Sequence, residues 1–180
     1  MKATALRKWL IWITGIVIAI LLVLFLLNKY ILINIRVPSG SMKETIQIND
    51  KLIASRISYV LENIERYDIV VADASENGEG LILKRVIGLP GEMITIANGQ
   101  IFINNSDIPI EEDYLAEEWT EANDGYEFVV PEDSYLLLGD NRNDSYDARF
   151  WKEDEKYICR ENIIAKVLFR YDPSCEWIDD

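Results

Sequence analysis

Residues Leu81–Asn104 read LILKRVIGLPGEMITIANGQIFIN. An apolar run of strand length, LILKRVI, stops at the turn residues Leu89-Pro90-Gly91. Two shorter runs follow, MITIA and QIFIN, separated only by Asn98-Gly99. That dipeptide between strand-like runs predicts a type I′ hairpin, because both central residues of such a turn need φ > 0. Outward from this stretch the same punctuation recurs. Short runs rich in Ile, Val and Leu predict strands over Ile31–Val37, Lys51–Ile57, Asp68–Ala72, Leu81–Ile87, Met93–Ala97, Gln100–Asn104, Glu127–Val130, Ser134–Leu138 and Ile163–Arg170. Tyr59–Arg66 reads as a short helix or turn. No internal repeat or long low-complexity linker interrupts the series. The expected fold class is mainly β.

One segment breaks this pattern. Trp9–Leu27, WLIWITGIVIAILLVLFLL, carries no charge. At about 1.5 Å per residue a helix of that length spans most of a roughly 30 Å hydrocarbon core. Trp9, Trp12 and Tyr30 suit the two interfaces. A buried core helix would show a polar face, and this run has none. A cleaved leader is the nearer rival, but the run is long for an h-region, and LLNKYILINI after it offers no small-x-small cleavage site. The expectation is a short cytoplasmic N-terminus (1–8), a retained transmembrane anchor (9–30) and an extracytoplasmic domain (31–180). The orientation rests on Lys2, Arg7 and Lys8 before the run against Lys29 and Arg36 after it, a slim positive-inside bias.

Lys2, Arg7, Lys8 and Lys29 are the four of 18 basic residues that precede Asn34, and no acid does. The domain beyond therefore holds 14 basic against 31 acidic residues, a net −17. Such a field repels phosphate backbones and excludes nucleic acid as a partner. The acids cluster in EEDYLAEEWTEANDG and WKEDE, which read as solvated surface. Cys159 and Cys175 are the only cysteines; an external disulfide between them is open, and neither belongs to a C-x-x-C or metal-ligand spacing.

The chain contains no histidine. That removes Ser-His-Asp and Cys-His catalysis and argues against a catalytic zinc site. A hydrolase built from this inventory needs carboxylates, or a Ser or Thr activated by lysine. A lysine acts as a base only when neutral, so its pKa must fall from about 10.4 by roughly three units, about 4 kcal/mol. Desolvation among apolar neighbours supplies such a shift. Lys84 lies mid-strand with Ile82 and Val86 on its own face. Lys166, in IIAKVLF, is second best. An ordinary strand lysine with its amine in solvent is the competing reading for both. Ser41 sits in Val37-Pro38-Ser39-Gly40-Ser41-Met42, where Pro and Gly suggest a sharp turn that exposes the hydroxyl. Taken alone, that segment is equally an ordinary Ser-Gly turn.

Four segments together resemble the bacterial type I signal peptidases. Pro38-Ser39-Gly40-Ser41-Met42 is similar to the family's nucleophile box, and Arg66–Val71 to its R-G-D-[IV]-V-[VL] strand. Lys84–Glu92, KRVIGLPGE, resembles the general-base box, and Gly139–Arg149, GDNRNDSYDAR, the G-D-N-R-x-x-S-x-D-S-R box. The order is the family's and an apolar N-terminal run precedes them. The resemblance implies a β-rich signal-peptidase-type protease domain, with a catalytic core over about 31–95 and 134–172 and a small non-catalytic insertion over about 96–133. It implies Ser41 as nucleophile and Lys84 as base. The Ser41 N–H and the Ser39 hydroxyl would form the oxyanion hole. Ser145 would orient the amine, with Asp147, Arg149, Asp140 and Arg142 in support. The substrate strand would add between Ile35–Pro38 and Ile82–Lys84. Ile35, Val37, Pro38, Met42, Val71, Ile82 and Leu83 would line shallow pockets for small residues. Partners would be signal peptides of exported preproteins and membrane lipid, with no metal or cofactor.

Three positions depart from the family pattern: Glu44 for the usual Pro, Tyr67 for Gly and Ala148 for Ser. Alternatives to signal-peptide removal are a Ser-Lys peptidase dedicated to a conjugation or pilin-like substrate, and a non-catalytic anchored β-domain that binds peptides by strand addition.

Overall fold

The structure is a computed structural model and describes residues 2–115, 117–119 and 124–178. It opens with helix α1 (Lys2–Tyr30), which contains Arg7–Leu27, long and apolar enough to cross a membrane. The apolar side chains from Trp9 to Leu27 are exposed, with no protein layer over them. A second helix, α2 (Ser58–Leu61), has a single turn. The remaining elements are strands: β1 (Leu32–Arg36), β2 (Lys51–Ser55), β3 (Ile69–Ala74), β4 (Gly80–Gly88), β5 (Met93–Ala97), β6 (Gln100–Ile103), β7 (Tyr126–Val129), β8 (Ser134–Leu138), β9 (Ile158–Cys159), β10 (Ile163–Asp172) and β11 (Glu176–Trp177).

Among the described residues, eight strands form one antiparallel sheet in the order β1-β2-β10-β3-β4-β8-β9, with β11 on β10. A second sheet has the order β6-β5-β7. The β5–β6 hairpin turns at Asn98 and Gly99, whose φ of 54° and 69° are those of the predicted type I′ turn. The small sheet begins at Met93, before the boundary expected for the insertion at 96. Strand β3 is apolar almost throughout because both its faces are covered. Ile69 and Val71 join Val37, Met42, Ile46 and Leu52 in one cluster. Val70 and Ala72 join Ile82, Val86 and the β8 leucines in the other.

Differences from the sequence reading have local causes. Ile31 is not in β1, because its N–H still bonds the carbonyl of Leu27 in the last turn of α1. β6 stops before Asn104, which with Asn105 adopts positive φ (52° and 59°). Strands β9 and β11 were missed; at two residues each they carry no periodicity to read. The acidic stretch expected as solvated surface is only partly that. The Glu112 side chain is 7% exposed and paired with Arg142. Both cysteines are free thiols.

Candidate active site

The loop Pro38–Asp50 joins β1 to β2 and carries Ser41. It is pinned from below by Val37, Met42 and Ile46, all buried in the cluster beneath β2, β3 and β10. Local turns close it: Lys43 N–H donates to Gly40 O (3.1 Å) and Ile46 N–H to Met42 O (2.8 Å). The hydrogen-bonded turn Gly40–Lys43 therefore contains Ser41 and holds its backbone in place. The Ser41 residue is 9% exposed and lines a cleft.

Lys84 comes from the middle of β4, in register with Val70 on β3. Val70, Ile82 and Val86 belong to one buried cluster, so its stem leaves a dry wall. The residue is 5% exposed, and its Nζ donates to Ser145 Oγ at 3.2 Å. Burial pulls the amine below the usual lysine value of 10.5. The carboxylates of Asp147, Glu79 and Asp140 pull the other way and the Arg149 guanidinium assists, but burial prevails. Among the described residues no carboxylate is ion-paired with Lys84. Arg85, the next residue, points to the other face of β4. It makes a bidentate pair with Asp140 at 2.9 and 2.7 Å. Adjacent basic residues on one strand are thus both buried, but only Arg85 has a carboxylate in direct contact.

The segment Gly139–Arg149 ties these two pieces together. Asn141 N–H donates to Ser41 O (3.0 Å) and Asn141 Nδ2 to Gly40 O (3.1 Å). Thr45 Oγ1 donates to Asp140 Oδ2 at 2.6 Å. Gly139 lies in the contact between the Ser41 carbonyl and Ser145, where a Cβ would fall 2.5 Å from Ser41 O and 2.7 Å from Ser145 Cβ. Asp147 is fully buried. It accepts from Gly139 N–H (3.0 Å) and forms a bidentate pair with Arg149 (2.8 and 2.9 Å). Burial raises its pKa, but the hydrogen bond and charge of Arg149, the Gly139 amide and Lys84 outweigh this and hold it below the usual carboxylate value. Arg142 donates to Gly139 O (2.8 Å) and pairs with Glu112.

Ser41 and Lys84 share one cleft of about 570 Å³. Ser39, Ile35, Val37, Pro38, Met42, Val71, Ile82 and Leu83 line it. Every residue expected at the substrate site therefore faces the same space. Ser145, Asp147, Arg149, Asp140 and Arg142 are buried behind it. The cleft also takes in Asn34, Arg56 and Glu79, which the sequence reading did not single out, and Arg36, to which it gave no pocket role. Nor did it give roles to Gly139, Asn141, Thr45 or Arg85. The first two and Arg85 lie inside recognised motifs. Thr45 carries no local signal, since its partner Asp140 is 95 residues away. Among the described residues no cluster of three or more His, Cys, Asp or Glu side chains is arranged to hold a metal.

Of the departures from the family pattern, Ala148 is buried without polar demand and Glu44 is exposed. Tyr67 takes φ = 76°, the left-handed region that glycine adopts at no cost and an L-residue at about 1–2 kcal/mol. Its ring meets Tyr114 edge-on at 6.0 Å, a contact glycine cannot make.

A hydroxyl and a buried amine that open on one cleft, the amine's pKa pulled below the usual lysine value by burial, are groups suited to nucleophilic attack without histidine. The comparisons agree in kind. Residues 9–172 match the family model described as signal peptidase, peptidase S26. A probable signal peptidase I-2 of a Synechocystis species is 38% identical over 145 residues, 76% of this chain and 62% of that protein. A signal peptidase I of Leptolyngbya laminosa is 39% identical over 76% of this chain and 67% of its own length. The signal peptidase I of Bacillus caldolyticus is 31% identical over 93% of this chain and 91% of its own length. With the family model covering all but the chain's two ends, and with such relatives, the chain belongs to the signal peptidase S26 family.

Proposed function

We propose that the chain is a membrane-anchored serine endopeptidase that removes signal peptides from exported preproteins, with Ser41 as nucleophile and Lys84 as general base. The observation that carries this reading is the Lys84 amine, buried on a residue only 5% exposed, hydrogen-bonded to Ser145 and opening on the same cleft as Ser41. In its neutral form the amine spends one N–H on Ser145 Oγ, which leaves its lone pair free to accept the Ser41 proton. Ser41 Oγ then attacks the scissile carbonyl. The Ser41 N–H and the Ser39 hydroxyl receive the developing oxyanion. The protonated amine returns its proton to the leaving amine, and a water deprotonated by Lys84 releases the acyl-enzyme. No step calls for a metal or cofactor.

The substrate lies as an added strand between Ile35–Pro38 and Ile82–Lys84. Ile35, Val37, Met42, Val71, Ile82 and Leu83 close the floor beneath it, and Val37, Met42 and Val71 are too buried to leave a deep hole. Small side chains at the first and third positions before the cut fit such shallow pockets. Helix α1 is the anchor, with its basic N-terminus cytoplasmic and the domain outside. β1 starts directly after α1, so the cleft stays near the bilayer that holds the uncleaved leader. The test is Ser41→Ala in the full chain in detergent micelles: preprotein cleavage should vanish while the melting transition is retained. Residual turnover by that variant would overturn the assignment.

A further inference from the structure

The segment between β6 and β7 includes the acidic stretch that the sequence suggests is solvent-facing, yet it turns three side chains inward. Glu112 holds Arg142 by two contacts, Nη2–Oε1 at 2.5 Å and Nη1–Oε2 at 3.3 Å. The Tyr114 ring lies 4.0 Å from the Arg85 guanidinium carbon and 6.0 Å from that of Arg142. The Trp119 ring lies 4.6 Å from Arg142 and 5.4 Å from Arg149. The three guanidiniums converge on the loop that carries Ser145: Arg142 on Gly139 O, Arg85 on Asp140, Arg149 on Asp147. Behind Trp119 stands the hairpin tip, since a Cβ on Gly99 would lie 3.3 Å from Trp119 Cβ. A guanidinium removed from water needs both a carboxylate and a face to replace its hydration. An aromatic ring supplies the second.

We propose that Glu112, Tyr114 and Trp119 form a strap of positioning residues that fixes the Gly139–Arg149 loop and so aims Ser145 at Lys84. This rests on the Ser41–Lys84 reading and adds residues to it that lie outside its motifs. None of the three lines the cleft, so they act on turnover and not on substrate binding. Glu112 is the far end of a relay: it fixes Arg142, Arg142 fixes the Gly139 carbonyl, and Gly139 abuts both Ser41 and Ser145. The charged groups acting on the Lys84 amine are Asp147, Glu79, Asp140 and Arg149. Replacing Trp119 changes none of these charges, so a shift in the pH profile of its variants reports geometry.

The experiment uses the full chain in detergent micelles and a fluorogenic peptide taken from a signal-peptide junction. Trp119→Ala should lower kcat about tenfold with KM within about twofold, the size of effect that misaimed catalytic groups produce. Its alkaline rise in kcat/KM should shift in the same direction as that of Ser145→Ala. In the Ser145→Ala background Trp119→Ala should cost less than about twofold more, because both act on one contact. Trp119→Phe, which keeps a ring, should restore turnover. If the alanine variant does not fold, Trp119→Leu takes its place with the same expectation, since it covers the arginines without a π face. Wild-type kcat in the alanine or leucine variant, a loss confined to KM, multiplicative losses with Ser145→Ala, or a phenylalanine variant as impaired as alanine would each overturn the strap. Ser41→Ala and Lys84→Met run alongside: turnover in either means that the dyad reading has failed, separately from the strap.

Discussion

Gly139→Ala is the sharpest test of how the site is built. The added methyl would lie 2.5 Å from Ser41 O and 2.7 Å from Ser145 Cβ, with Ser145 Oγ closer still. Ordinary van der Waals contact begins near 3.4 Å, so the Ser41 carbonyl must retreat by about 0.9 Å and Ser145 by about 0.7–1.2 Å, or Gly139 itself must shift. Neither is the free end of a flexible side chain. Ser41 O is backbone held by Asn141 N–H, and Ser145 sits in the buried loop tied to Arg149. The strain of such overpacking costs about 1–3 kcal/mol, and each kcal/mol lowers Tm by roughly 2–4 °C in a chain of this size. The catalytic cost is out of proportion to that. A misplacement of about 1 Å between reacting groups lowers rate by about a hundredfold. Purified Gly139→Ala should therefore melt within about 10 °C of wild type yet cleave a preprotein peptide about a hundredfold more slowly. Cleavage within about threefold of wild type would refute the claim that Ser41 and Ser145 are held in register through this glycine.

Other variants probe the charges. Lys84→Met should be inactive but more heat-stable than wild type at neutral pH. The folded pKa of Lys84 is depressed, so between that value and 10.5 the unfolded chain binds more protons and stability rises with pH; the methionine's advantage should shrink over that window and be largest below it. A wild-type Tm higher than that of the variant at neutral pH would count against a desolvated amine. For the same reason kcat/KM should rise through a midpoint below 10.5, and a rise that appears only near the free-lysine value would sink the proposed base. Asp140→Asn strands the Arg85 guanidinium, which is 1% exposed, and should cost about 3–5 kcal/mol in urea unfolding; a loss below about 1 kcal/mol would show that the pair is not needed. Tyr67→Gly relieves about 1–2 kcal/mol of left-handed strain and gives up an aromatic contact of about 0.5–1.5 kcal/mol. Its stability should stay within about 1 kcal/mol of wild type, and a loss near that of a buried aromatic truncation, about 3–5 kcal/mol, would contradict this balance.

Much of this molecule is set by short-range pattern. The β5–β6 hairpin follows from Asn98-Gly99 because only residues tolerant of positive φ close a two-residue turn of that hand. The apolar N-terminal run makes α1, and the absence of histidine narrows the hydrolytic chemistry before any coordinate is seen. Ile82 and Val86, two positions on either side of Lys84, place apolar neighbours on its face, though pattern alone left a solvent-facing amine open and the packing of Val70 against them decides it. Patterns of this kind are properties of neighbours in the chain. What tertiary structure alone decides is which distant groups meet. Asp140 and Arg142 were expected only as support for the site, with no partners assigned; Asp140 grips Arg85, on a strand 55 residues back, and Arg142 turns to Glu112. Glu112 reads as one more surface acid in an acidic run, and Thr45 as one more loop hydroxyl. Charge has no period, so a sequence shows how many acids and bases exist but not their pairing. The pairing is fixed by how the sheet and its insertion pack, which brings Asp140 to Arg85 and Glu112 to Arg142.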